Sequence, residues 1–285
     1  MKVEREMTAY LLAIIPSVIL LINIYRKDKI EKEPGRLLFR CFVFGALMVF
    51  PAGICESIIG DILDIIFSEG SLIKAFVDYY CVVGLCEELF KYLILILLVS
   101  KSKEYDCMFD GIVYAVFISL GFATLENMYY VVDGGIGTAI LRMFTSIPGH
   151  MVFAVYMGYF YSRYKYSKLK NDRESAKSYK CFALLVPVLL HGTYDFLISV
   201  SETRATDFII GLAFLIWLVF VLTIFIITYV IVDQAARSDE YIVSLVYEGK
   251  EKLSVQRGTK WVCSCHRVNY GNYCSNCGKR KPQGR

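Results

Sequence analysis

The chain has 285 residues, of which 56% are apolar, 15% aromatic and only 20% charged, with a formal net charge of +4 and six prolines. Soluble domains carry roughly 45–50% apolar residues even with glycine counted, so intrinsic disorder, a secreted disulfide scaffold and a coiled coil are excluded, and lipid is the expected solvent for most of the chain. The charge is uneven: residues 233–285 carry ten Lys/Arg against five Asp/Glu, so the positive excess belongs to this tail.

Runs of about 20 apolar residues are long enough to cross a bilayer as helices. About seven are expected, over residues 8–25, 38–59, 79–100, 109–132, 136–162, 181–200 and 208–232. Residues 61–78 are amphipathic and acidic and are expected to lie in the membrane interface. Lys and Arg favour cytoplasmic loops. Five of them lie between Arg26 and Arg36, Lys101 and Lys103 mark a second loop, and seven lie between Arg163 and Lys180. The alternate loops hold only Lys74, none, and Arg204. All three basic loops fall on one face if the N-terminus is outside and the C-terminus is cytoplasmic.

Charge inside a span costs several kcal/mol, so an intramembrane ionisable residue is a functional hypothesis by default. Glu87, Glu88 and Lys91 fall in the third span, Glu126 and Asn127 in the fourth, Arg142 and His150 in the fifth, and His191 and Asp195 in the sixth. Helical spacing lets Lys91 neutralise one glutamate and leave the other available, and lets Asp195 fix the imidazole of His191. At 1.5 Å per residue, Glu87, Glu126 and His191 lie about 12, 9 and 14 Å from the outer ends of their helices, and His150 about 20 Å. One outward-opening polar pocket accounts for this convergence. Arg142 reads as helix-to-helix glue.

Two carboxylates and two imidazoles in a desolvated pocket can hold a water and take its proton. The same groups can instead hold a divalent metal, with Glu126, His150 and His191 as a zinc-like set. Neither an HExxH helix nor a GxSxG elbow is present, and Cys41, Cys55, Cys81, Cys86 and Cys181 read as small apolar fillers. A proton- or cation-coupled transporter would use buried carboxylates too, but no inverted repeat relates the two halves. A membrane scaffold recruiting partners through its tail is the non-enzymatic alternative.

The set Glu87-Glu88-x-x-Lys91, Phe122-x-x-x-Glu126-Asn127, Pro148 ahead of His150, and His191-x-x-x-Asp195 resembles the PrsW-type intramembrane proteases, relatives of the CAAX-prenyl endopeptidases and the bacterial Abi proteins. The resemblance covers spans two to six. It implies that Glu87 activates water, that Glu88 and Lys91 support it, and that His191 and Asp195 contact substrate or oxyanion. The second motif ends in Glu126 where the CAAX branch has histidine, and Lys91 stands one position short of that branch's arginine. The implied activity is first-site cleavage of a single-span, membrane-anchored anti-sigma factor on its extracytoplasmic side, in a bacterial cell membrane.

In the tail, Trp261-Val-Cys263-Ser-Cys265 and Cys274-Ser-Asn-Cys277-Gly278 read as the two cysteine knuckles of a zinc ribbon, with four thiolates on a structural zinc. Arg267, Lys279, Arg280, Lys281 and Arg285 read as a solvated surface near anionic headgroups, so no specific nucleic acid is expected, while a cytoplasmic partner of the ribbon is. The expected fold is thus an all-α, polytopic membrane unit at residues 1–232, a connector at 233–257 and a zinc ribbon at 258–285.

Overall fold

The structure, a computed structural model, describes residues 2–242 together with 245, 261–263, 268–269, 274 and 281. Helix α1 (Lys2–Lys27) is followed by α2 (Gly35–Leu47) and α3 (Val49–Ile66). The break between these two, at Met48, has a cause in sequence: Pro51 has no N–H to return to the carbonyl four residues earlier. Helix α3 runs on into the predicted interfacial segment, and α4 (Leu72–Val77) opens with the Ser71 hydroxyl accepting from the Lys74 amide.

The predicted third span is helical but not uniform. A π-helical segment, Asp78–Val83, leads into α5 (Gly84–Ile94), and a second, Leu95–Val99, ends it. Then come α6 (Asp110–Phe144), α7 (Ser146–Leu169), α8 (Arg173–Ser199) and α9 (Asp207–Arg237). Among the described residues, five stretches are long and apolar enough to cross a membrane: Met7–Lys27, Gly35–Ile66, Asp110–Leu169, Arg173–Glu202 and Asp207–Arg237. The predicted third span is not among them because Glu87, Glu88 and Lys91 make it too charged, and the fourth and fifth expected spans run together as one stretch. The protein is an all-α membrane protein of several spans.

Helix α6 is central and packs against α7, α1 and α2. It holds a reversal that the apolar pattern does not show. Sixteen residues of continuous helix would put Arg142 about 24 Å from Glu126, yet the two side chains meet at 2.7 Å. The chain turns back at Gly135, whose φ of +67° suits glycine. Helix α7 then starts afresh at Ser146, so the expected continuous helix over 136–162 is replaced by a short return segment and a new helix. His150, placed by the sequence about 20 Å deep, is instead only the fifth residue of α7.

The outer surface inverts the rule for water-soluble proteins. Phe208, Phe214, Val219 and Ile226 on α9, and Met7 and Ile19 on α1, are more than half exposed, as expected of a surface wetted by acyl chains. The main apolar core joins Ile24, Leu38, Leu95, Phe109, Ile112 and Ile118, and a second cluster around Phe153, Tyr194 and Trp217 lies beside the polar centre.

In the tail, β1 (Trp261–Val262) pairs antiparallel with β2 (Val268–Asn269), and Trp261, Cys263 and Cys274 are buried against one another. Cys265 and Cys277, Gly278 and most of the predicted connector lie outside the described residues. The ribbon and its zinc therefore remain a proposal.

Candidate active site

Helices α5, α6, α7 and α8 carry every residue of the polar centre that the sequence singled out. What brings α5 close to α8 is the absence of side chains. A Cβ on Gly84 would stand 3.2 Å from both the Gly192 amide nitrogen and the Val188 carbonyl oxygen of α8, and one on Gly192 would stand 2.7 Å from the ring of Tyr80, in the segment leading into α5. With both positions bare, the Glu88 Oε1 reaches His191 Nδ1 at 3.0 Å.

Lys91 is the hub. Its fully buried ammonium donates to Glu87 Oε2 at 2.9 Å, Glu88 Oε1 at 2.8 Å and His150 Nδ1 at 3.1 Å. Lysine has three protons to give and no lone pair, so all three are spent. The expectation that Lys91 would pair one glutamate and release the other is therefore corrected: it holds both. Because Lys91 can only donate, His150 Nδ1 accepts, and the ring's proton sits on Nε2, donating to Glu126 Oε2 at 2.8 Å. Ser119 donates its hydroxyl to the His150 carbonyl at 2.9 Å, fixing the backbone below the ring.

Glu126 is occupied on its other oxygen by Arg142 at 2.7 Å, and Arg142 also donates to Asn127 Oδ1 at 2.6 Å. Arg142 thus belongs to the polar network and is more than glue: it anchors the carboxylate that orients His150. Its guanidinium also lies 3.9 Å from the centre of the Tyr130 ring. On the α8 side, His191 Nε2 stands 3.1 Å from Asp195 Oδ2 and 3.9 Å from Glu87 Oε2. The two imidazoles are edge to face, 5.3 Å between centres, and Phe153 stacks on His191 at 4.8 Å. Phe122 lies under Lys91 at 4.2 Å. Apolar rings thus wall off the centre and strengthen each charge interaction inside it.

The metal-ligand set differs from that expected. Donor atoms of Glu87, His150 and His191 lie within 4.8 Å of one another and all three residues are buried. His150 and His191 are shared with the expected set; Glu126, expected where Glu87 stands, is held by Arg142 and by Nε2 of His150. Two imidazoles and a carboxylate, beside the orphaned Glu88 Oε2, match a borderline cation such as Zn²⁺ in number and type; a metal there would take Glu87 Oε2 and His150 Nδ1 in place of the Lys91 ammonium that now holds both.

One residue escaped the sequence reading. Glu56, on α3, has a buried Oε1 with no hydrogen bond and feels the charges of Glu87, Glu126, His191 and Lys91. The signal was present, since Glu56 is a carboxylate inside the predicted 38–59 span.

Known proteins resemble the stretch of chain that carries this centre. The chain is 35% identical over 220 residues to Protease PrsW of Clostridioides difficile (strain 630), covering 74% of this chain and 88% of that one. It is 34% identical over 187 residues to Protease PrsW of Geobacillus kaustophilus (strain HTA426), covering 66% and 78%. It is 31% identical over 204 residues to Protease PrsW of Bacillus subtilis (strain 168), covering 72% and 88%. No solved structure matches. The family model for PrsW family intramembrane metalloprotease matches residues 33–228, which contain every residue of the centre from Glu56 to Asp195. The chain belongs to the PrsW family and is an intramembrane protease.

Proposed function

We propose that the Lys91-centred cluster is the active site and that it hydrolyses a peptide bond of a single-span membrane protein near the extracytoplasmic face, an anti-sigma factor being the substrate the family resemblance implies. The observation that carries this reading is the buried grouping of Glu87, His150 and His191 around one point. Seven crossings, with the N-terminus outside and the C-terminus cytoplasmic, complete the reading, on the strength of the basic loops.

Within the glutamate pair, exposure separates the roles. The Glu87 side chain keeps 7% exposure while those of Glu88 and Lys91 have none. Glu87 is therefore the carboxylate that meets water and takes its proton, and Glu88 is a positioning residue that holds Lys91 and His191. Glu126 and Arg142 fix the tautomer of His150, and Asp195 fixes His191, so both imidazoles are aimed before substrate arrives. In the metal-dependent form of the reading, Glu87, His150 and His191 would instead hold a divalent metal, which when bound supplies a Lewis acid for the scissile carbonyl and its water. In the tail, Cys263 and Cys274 with Cys265 and Cys277 are proposed to hold a structural zinc; the shared burial of Cys263, Cys274 and Trp261 supports this.

The test is cleavage of a purified single-span substrate by the full chain in detergent, with the cut mapped by mass spectrometry. Glu87→Gln should lower the rate on the order of 10²–10⁴-fold, the usual worth of a general base. Full cleavage by that variant would sink the assignment.

A further inference from the structure

A second buried acidic group lies at the other end of α6, outside the proposed active site. It is built from three segments far apart in sequence: the turn after α1, with Asp28 and Glu33; the entry to α6, with Asp106, Cys107 and Asp110; and the exit from α9, with Asp239. These acidic residues are between 1% and 9% exposed. Donor atoms of Asp106, Cys107 and Asp110 lie within 4.8 Å of one another. Asp110 Oδ2 accepts from the amides of Asp106 and Cys107 at 2.8 and 2.6 Å, its carboxyl hydrogen-bonds that of Glu33, and Tyr114 donates its hydroxyl to Glu33. Asp239 Oδ1 accepts from the Phe109 amide at 2.8 Å. The backbone is stitched at the same place, by an antiparallel bridge between Cys107 and Tyr241 and by amides of Met108 and Ile242 donating to Glu240 and Asp106.

Buried charge must be paired or hydrogen-bonded, and here part of it is neither. Among the described residues, neither oxygen of Asp28, 1% exposed, nor Oδ2 of Asp239 meets a partner in good hydrogen-bond geometry, although the amides of Glu33 and Glu240 lie near them. Among the described residues, two ammonium groups lie close enough for their charge to reach the cluster, but each hydrogen-bonds a carbonyl and no carboxylate: Lys32 donates to the carbonyls of Tyr25 and Asp28, and Lys165 to that of Tyr105. Asp28 lies close enough for its charge to act on Glu33 and Asp239, and it feels Asp106 in return.

We propose that this cluster is a divalent-cation site, with the carboxylates of Asp28, Asp106, Asp110 and Asp239 supplying hard oxygen ligands. A donor set dominated by carboxylate oxygen selects Mg²⁺, Ca²⁺ or Mn²⁺ over softer metals. The cation joins the turn after α1, the entry to α6 and the exit of α9, and so fastens the root of the C-terminal tail to the membrane body.

The experiment counts Mn²⁺ bound to the full chain in detergent by electron paramagnetic resonance, for the wild type and for Asp28→Asn/Asp239→Asn. Both proteins keep Glu87, His150, His191 and the tail cysteines, so any sites there contribute equally. The expected result is one Mn²⁺ equivalent missing from the variant, or bound at least tenfold more weakly. Equal uptake with equal affinity overturns the proposal, and means that protons alone neutralise the cluster. If the double variant does not yield folded protein, Asp106→Asn is compared with wild type on the same two outcomes.

Discussion

Two groups of buried carboxylates lie sixteen residues apart on one helix, around Glu126 and around Asp110, about 24 Å along α6. They solve the same electrostatic problem differently. The first carries its own cations: Lys91 and Arg142 reach three glutamates, and the histidines bridge what remains. The second, among the described residues, has five acids and a thiol drawn together with Lys32 and Lys165 nearby, and neither of these hydrogen-bonds a carboxylate of the group. A self-compensated cluster is rigid and preorganised, which hydrolysis in a low-dielectric setting requires. An uncompensated one waits for a charge from outside.

Three substitutions sharpen this contrast, beginning with the largest effect. Lys91→Met removes the shared cation and leaves two buried carboxylates without it, so it should destabilise the protein by about 3–5 kcal/mol, read as a lowered melting temperature in detergent; an unchanged melt would show that the pair is not interdependent. Gly84→Ala pushes a methyl against the Gly192 amide nitrogen and the Val188 carbonyl, each 3.2 Å away, and prises α5 from α8. It should cost about 1–3 kcal/mol and lower cleavage, because Glu88 then no longer meets His191; wild-type cleavage would break the link between that close approach and the site. Asp28→Asn, in chelator, should cost nothing measurable or raise the melting temperature slightly, since it discharges an uncompensated group. A large loss there would mean that the second cluster is balanced as the first one is.

Much of the first cluster was legible because charge inside an apolar run stands out. Glu87, Glu88, Lys91, Glu126, His150, His191 and Asp195 were all found that way, and helical spacing anticipated the His191–Asp195 contact. What spacing does not encode is how helices approach one another. The role of Arg142 and the level of His150 both depend on the reversal at Gly135, which a run of apolar residues conceals, and the exchange of Glu126 for Glu87 among the metal-ligand candidates follows from the same reversal. The π segments likewise interrupt the third span without changing its composition, so spacing does not reveal them. The second cluster was missed for a different reason. Its loops were read for lysine and arginine, which set orientation, while their aspartates and glutamates come together only when three separate loops meet.

The π-helical segments on either side of α5 have one more consequence. A helix is a rotary register in which each residue advances the face by about 100°, and a wide turn carries one residue more than an α turn. Everything beyond it is therefore out of phase with what came before. With one such segment ahead of Gly84 and another after Ile94, the carboxylate pair and Lys91 are aimed at α7 and α8 independently of the faces that the two ends of the same helix show to lipid. A substitution that adapts either end to a different bilayer can then leave the heading of Glu87 unchanged.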